Sequence, residues 1–143
     1  RWHAHRHSAG QGHVYQGRFK SFPIERDEHL LAVLRYVERN ALRARLVARA
    51  EDWRWGSLWV RERGPVELRN LLTDWPIERP GNWIERVNQA ETTAELEALR
   101  QSIKRSSPYG SAQWIQRTAK QLNLQWTLRP RGRPRVRPVK DSL

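Results

Sequence analysis

The spacing of apolar and polar residues predicts one strand near the start of the chain, followed by a helix. Residues 14–24, VYQGRFKSFPI, are aromatic, apolar and basic in rough alternation. This suits a strand with Pro23 at its edge or exit. Asp27 is a good N-cap for the helix that follows. Helical spacing predicts one buried stripe on this helix, formed by Leu30, Leu34, Val37 and Ala41.

Beyond Gly64-Pro65, which breaks the chain, the pattern is mainly helical. Thr92 and Glu95 form the signature of a capping box at one helix start. After Leu128 the sequence RPRGRPRVRPVK lacks the apolar content to fold alone, and we expect a disordered basic tail. We therefore predict an α+β fold, with candidate helices at 66–73, 82–89, 92–105 and 111–122. The predicted parts are 1–63, 64–128 and 129–143.

Composition adds a polyanionic partner to this picture. The 143 residues carry a formal net charge of +12, which favours nucleic acid. A membrane surface fits less well, because the basic residues are not gathered opposite a clean apolar helix face. No apolar run approaches the roughly 18 residues of a membrane span, and no signal-peptide pattern opens the chain. The absence of Cys excludes disulfides and fits a cytoplasmic protein.

The chain contains no Met and begins within a polar run, Arg1-Trp2-His3. A complete translation product starts with Met, and processing normally removes it only before a small residue. We therefore expect that the N-terminal part of the protein is missing and that the chain is a fragment.

Tyr36 and Asn40 project from one face of the predicted helix, because they are one turn apart. An exposed phenol on a rigid helix can attack a phosphodiester and hold the DNA end as a phosphotyrosine. A phenol is protonated at neutral pH, so it needs a cation or metal nearby. The amide oxygen of Asn40 is a suitable ligand for Mg²⁺ or Mn²⁺. Taken alone, however, a Tyr on a helix is more often a packing residue.

Several motifs in one order place this pair in a family context. The segments YQGRFK at 15–20, RYVERNALRARLV at 35–47 and DWRWGS at 52–57 occur in sequence, and PYGSAQWIQRTAKQLNLQWTLRPRGRPR follows at 108–135. From about Gly12 to Arg135 the chain resembles the REP-associated tyrosine transposases, bacterial single-tyrosine enzymes of the HUH superfamily.

The resemblance implies a ferredoxin-like sheet, of which this chain would hold the C-terminal portion, and a metal site. In that family two His flanking a bulky apolar residue, the HUH motif, bind the metal with an amide one turn after the nucleophile. Carried over, Tyr36 is the catalytic nucleophile and Asn40 the third ligand of Mg²⁺ or Mn²⁺. The implied activity is cleavage and rejoining of single-stranded DNA beside hairpins or palindromic repeats, through a 5′-phosphotyrosine intermediate. A homodimer is left open.

The chain departs from the family pattern in three places. The HUH motif should lie upstream of Arg1, and the His-x-His pairs within His3–His7 fit a solvated loop better than a metal site. Without the two His, Asn40 alone cannot hold a metal, so we expect this chain to be inactive as a nuclease and to carry no bound ion. Ala41 stands where the family has Pro, and Arg45 where it has Gly. Either the helix continues, or a residue there takes a strained backbone conformation.

Two basic rows are candidate DNA contacts near the tyrosine. Arg18 and Lys20 share a face of the predicted strand. Arg35, Arg39 and Arg43 recur every fourth residue and form a basic ridge beside Tyr36; the alternative is a solvated helix face. Trp53, Trp55 and Trp59 fit the core better than a role in stacking on unpaired bases.

The tail contains Pro-Arg-Gly-Arg-Pro, which resembles an AT-hook. Gly132 would let the backbone lie flat in a narrow A·T minor groove, with Arg131 and Arg133 along its floor. A merely basic tail is an equal alternative. The helix at 111–122 resembles one helix of a helix-turn-helix, but no clear partner helix follows at the proper spacing.

Three functions remain open from the sequence. The first is a transposase, a DNA strand transferase or nuclease of which this is the C-terminal part. The second is a catalytically inactive DNA-binding remnant or regulator. The third is a basic RNA-binding protein unrelated to transposition.

Overall fold

The computed structural model describes residues 20–129. The secondary-structure elements assigned in that range are all helices. No helix between residues 20 and 129 is long and apolar enough to span a bilayer. The elements, in chain order, are α1 Glu28–Glu38, α2 Asn40–Arg43, a 3-10 helix Ala50–Asp52, α3 Ser57–Arg63, α4 Val66–Arg69, α5 Trp83–Asn88, α6 Thr93–Arg105, α7 Ala112–Gln121 and α8 Gln125–Leu128.

The predicted α+β fold, a portion of a ferredoxin-like domain with one strand, is wrong for the described residues. Between residues 20 and 129 there is no strand, and only an isolated parallel bridge joins Ile24 to Tyr109. The Glu25 N–H donates to the Tyr109 carbonyl at 3.0 Å, and the Tyr109 N–H donates to the Pro23 carbonyl at 2.9 Å. A strand needs a neighbouring strand to satisfy its backbone, and this segment meets a single loop residue. Residues 14–19 of the expected strand lie outside the described range.

Helix α1 begins where the sequence predicts. The Asp27 side chain accepts a hydrogen bond from the His29 N–H at 2.8 Å, which confirms the N-cap. The predicted buried stripe is confirmed at Ala41, which is buried, and at Leu34, which packs against the core, whereas Val37 is 54% exposed and Leu31 is buried beside the stripe. Leu30 and Leu31 are adjacent and both apolar, so periodicity alone could not choose between two neighbouring stripes.

The core joins helices from both sides of Gly64. Its buried members are Leu31, Ala50, Leu58, Trp83 and Val87. Trp75 packs edge-to-face on Trp83 with ring centroids 4.9 Å apart. The Glu38 carboxylate accepts hydrogen bonds from Ser57 Oγ and Trp83 Nε1, each at 2.7 Å. Through this carboxylate α1 is tied to α3 and α5, which fixes the helix that carries Tyr36.

The later helices follow the prediction closely where they pack. The bounds of α5, α6 and α7 lie within one residue of the predicted ranges, and the capping box of Thr92 and Glu95 is confirmed. The helix predicted at 66–73 ends early, since α4 spans only Val66–Arg69. None of its residues is buried, so no tertiary packing supports further turns.

Candidate functional site at the tyrosine helix

Tyr36 and Asn40 lie one turn apart across the junction of α1 and α2. Arg39 between them keeps helical backbone angles, with φ −81° and ψ −6°, and its N–H donates to the Arg35 carbonyl at 2.9 Å. The helical path therefore continues nearly unbroken through the junction, although two helices are assigned. Tyr36 is half-buried and Asn40 is exposed.

The helix exit shows both consequences expected from the departures at Ala41 and Arg45. The chain stays helical from Asn40 to Arg43, and Ala41 is buried. Arg45 then adopts a left-handed conformation with φ 57°. A residue with a Cβ pays about 1–2 kcal/mol for this conformation, which a glycine would not.

Arg43 contacts both candidate residues. Its guanidinium carbon lies 4.1 Å from the centre of the Tyr36 ring, and its Nη2 donates a hydrogen bond to Asn40 Oδ1. Its Nη1 lies 3.4 Å from Glu91 Oε1, so an acidic residue holds the guanidinium in place. A positive charge therefore lies against the phenol ring and on the amide oxygen together.

The surroundings of Asn40 do not fit a divalent metal ion. Its amide oxygen, the side-chain atom that could act as a hard ligand, already accepts from a guanidinium, whose charge repels a second cation. No group of three metal-ligating side chains that includes Glu91 or any residue near Asn40 occurs within residues 20–129. The described part of the chain thus supplies an amide and a cation at this point, and no metal centre.

The other two arginines of the predicted DNA-contacting ridge are engaged with the end of α5. Arg39 Nη1 donates to the carbonyls of Val87 at 2.9 Å and Asn88 at 2.6 Å, and its Nε lies 3.0 Å from Glu91 Oε2. Arg35 Nη2 donates to the Gln89 carbonyl at 3.1 Å. The last carbonyls of a helix have no partner within the helix, so these guanidinium groups cap it.

Tyr36 also lines a narrow crevice between α1 and α6. The crevice has a volume of about 10 Å³, and its walls include Glu91, Glu95 and Tyr109. This space is at the lower limit for a single water molecule and is far too small for a phosphodiester. Burial raises the pKa of the Tyr109 phenol, and the charge of Glu95 raises it further, so Tyr109 is a poor nucleophile.

The remaining predicted DNA contacts are distributed elsewhere or lie outside the described range. Lys20 is exposed at the start of the described chain. Arg18, Arg131, Gly132 and Arg133 fall outside residues 20–129. Of the three tryptophans expected in the core, Trp53 and Trp59 are half-buried, whereas Trp55 is 84% exposed, so the expectation is wrong for Trp55.

One side-chain cluster is not among the sites predicted from the sequence, although the alternating spacing of its residues is visible there. Ligand atoms of Glu25, Asp27 and His29 all lie within 4.8 Å of one another. Each acid already has a structural partner: Asp27 caps α1 and binds His29 Nδ1 at 2.8 Å, and Glu25 accepts from the Ser111 N–H at 2.6 Å. These hydrogen bonds account for the cluster without an ion.

Comparison of the chain with known protein families, curated proteins and solved structures identifies no similar protein. The chain matches no known protein family, no curated protein and no solved structure. Its chemistry therefore rests on the geometry and charge of its own residues.

Proposed function

We propose that the chain is a DNA-binding part of a single-tyrosine transposase, similar to the REP-associated tyrosine transposases, and that it acts in the cytoplasm. Its ligand is DNA that forms a hairpin or palindromic repeat. In the arrangement of residues 20–129, the chain binds this DNA and does not cleave it.

The observation that best supports the proposal is positive charge that is not neutralised by ion pairs within the described residues. Residues 20–129 hold 19 Lys and Arg against 14 Asp and Glu. Only six of those 19 side chains lie within 4.0 Å of a carboxylate oxygen of a described residue. A protein with this excess is attracted to the phosphates of nucleic acid and binds by releasing their counterions.

The proposed chemistry of the intact transposase assigns the attack to Tyr36. The phenol oxygen bonds to phosphorus and its proton passes to a base, while the bond from phosphorus to the 3′ oxygen breaks. The 3′ oxygen takes up a proton, leaving a 3′-OH and a 5′-phosphotyrosine. Arg43 beside the ring favours the negative charge that develops in this step.

Three features argue against this step in the described arrangement. Asn40 is bound to Arg43 instead of being open to a metal, and the crevice at Tyr36 has no room for a phosphodiester. Glu95, which forms no ion pair with a described residue, lines the same crevice and repels a phosphate. These features favour binding without cleavage.

The test uses the full chain with a labelled single-stranded oligonucleotide that folds into a hairpin, in the presence of Mg²⁺ or Mn²⁺. We expect a complex on a native gel that weakens as salt rises, no covalent adduct on a denaturing gel, and equal binding by Tyr36→Phe. An adduct that forms with the natural chain and disappears in Tyr36→Phe would show that the chain does cleave. Failure to bind DNA would overturn the proposal, and tighter binding to an RNA hairpin of the same sequence would favour an RNA-binding protein.

The assignment of Tyr36 needs a longer protein that carries an HUH strand ahead of this chain. There the proposal predicts a covalent adduct that Tyr36→Phe abolishes. An adduct that survives the substitution removes Tyr36 as the nucleophile, but leaves DNA binding by this chain intact.

A further inference from the structure

The excess positive charge of the described chain lies entirely in its last third. Residues 20–97 contain 13 Lys and Arg and 14 Asp and Glu, a net charge of −1. Residues 98–129 contain six Lys and Arg and no acid, a net charge of +6. Arg105 is half-buried, and the five exposed cations of this acid-free segment are Arg100, Lys104, Arg117, Lys120 and Arg129.

Helix α7 presents one clean polar face within the acid-free segment. Thr118 and Ala119 are buried on its inner side. At about 100° per residue, the outward residues cover an arc of roughly 140°. All of them are exposed: Gln113, Gln116, Arg117, Lys120 and Gln121. We refer to these five residues as the α7 face.

The α7 face is held on a fixed support at both ends. The Ser111 N–H, just before the helix, donates to Glu25 Oε2 at 2.6 Å. At the other end the Leu124 N–H donates to the Ala119 carbonyl at 2.7 Å, and Asn123 makes the left-handed turn into α8 with φ 55°. Glu25 reduces the positive potential at the first turn of α7, so phosphate contacts fall to Arg117 and Lys120 further along.

We propose that the α7 face binds double-stranded DNA in the major groove. This inference rests on the DNA binding proposed above and names the paired stem of the hairpin as the ligand of this surface. A ten-residue helix is about 15 Å long, and the major groove of B-DNA, about 12 Å wide, accepts a helix. Glutamine amides pair with adenine, and arginine and lysine contact phosphates.

The same face does not fit a double-stranded RNA stem. The major groove of A-form RNA is deep and narrow, so the side chains of a helix cannot reach its bases. The acid-free segment fits a duplex flanked by two phosphate backbones, because residues 98–129 supply no carboxylate that would repel either backbone.

The first experiment compares two double variants of the full chain that each remove two exposed cations. The test variant is Arg117→Gln with Lys120→Gln, and the matched control is Arg54→Gln with Arg69→Gln, far along the chain. Neither pair forms an ion pair with a described residue, and all four are exposed, so both variants should fold. Circular dichroism checks this.

Fluorescence anisotropy with the labelled stem duplex then gives Kd at several salt concentrations. We expect the test variant to bind about 10-fold or more weakly at low salt, and its slope of log K against log salt to fall by about 2. The control should stay within about 2-fold of the natural chain. Equal losses in the two variants, or no loss in the test variant, overturn the assignment of the α7 face.

A second measurement reads the groove directly. Methylation of guanine N7 by dimethyl sulfate reports the major groove, and we expect the bound natural chain to protect guanines of the stem from it. Binding without N7 protection, or equal binding of the RNA duplex, contradicts the inference. If the natural chain binds no DNA, the proposed function fails as well; if it binds while the α7 variants change nothing, only the α7 face is wrong.

Discussion

Arg39 offers a sharp test of whether the ridge of arginines beside Tyr36 supports the fold or contacts DNA. Its guanidinium donates to two carbonyls at the end of α5 and pairs with Glu91, a side chain only 7% exposed. A hydrogen bond that involves a charged group contributes about 1.5–3 kcal/mol. In Arg39→Ala all three contacts are lost, and Arg43 remains as the only described ion-pair partner of Glu91. We expect the free energy of unfolding to fall by about 3 kcal/mol, after water solvates the exposed groups in part.

Urea denaturation followed by circular dichroism measures this loss. With a slope of about 1–3 kcal/mol/M, the midpoint of Arg39→Ala should fall by roughly 1–3 M. Arg39→Lys keeps the charge but cannot reach two carbonyls and a carboxylate at once, so its loss should be intermediate. Arg69→Ala, at an exposed position of α4, is the control and should change stability by less than about 0.5 kcal/mol. If Arg39→Ala is as stable as this control, the capping contacts are not formed and Arg39 is available to DNA.

Three further predictions concern stability at low pH, the N-cap of a helix and a close steric contact at a glycine. Burial raises the pKa of the Glu51 carboxyl, but hydrogen bonds, first among them that from Asn88, lower it more, so the net pKa lies below its usual value. The resulting stability is present above the unfolded pKa of about 4.3 and is lost as pH falls through the folded pKa, so Glu51→Gln should flatten this acid loss in a pH series of urea melts. Thr92→Ala removes the cap of α6 and should cost about 1 kcal/mol by the same melts, with no change in DNA affinity. A Cβ at Gly64 would lie 2.5 Å from the Val60 carbonyl oxygen, so Gly64→Ala should cost about 1–3 kcal/mol, and a neutral result would contradict the packing at the end of α3.

Local features of the fold could be predicted because they depend on residues close in the chain. The caps at Asp27 and Thr92 use hydrogen bonds that reach two or three residues along the chain, and both are confirmed. The left-handed turn at Arg45 was one of two open expectations, since it follows from the backbone needs of a helix exit.

Contacts between distant residues could not be predicted in the same way. The spacing of Arg39 and Arg43 predicts a basic ridge, but their partners lie 48 residues away, and one pattern fits a DNA surface and a helix cap equally. The strand expected at 14–24 does not form in its described part, residues 20–24, for a similar reason. Alternation predicts an extended segment, whereas a sheet needs a second strand that the pattern cannot supply.

The sequence predicts the spacing of the two candidate residues but not their surroundings. Tyr36 and Asn40 share a helical turn, as their spacing requires. These surroundings depend on how α6 packs against α1. Arg43 contacts both Tyr36 and Asn40, and Tyr109 and Glu95 close the crevice beside Tyr36. Periodicity carries no information about such packing.

The central claim is that this chain binds DNA through its excess positive charge. A titration of the full chain with the hairpin oligonucleotide at increasing salt, without divalent metal, tests it most directly. The account predicts a Kd that rises steeply with salt and a linear slope of log K that falls when Arg117 and Lys120 are neutralised. A complex whose affinity does not change with salt, or no complex at low salt, would contradict it.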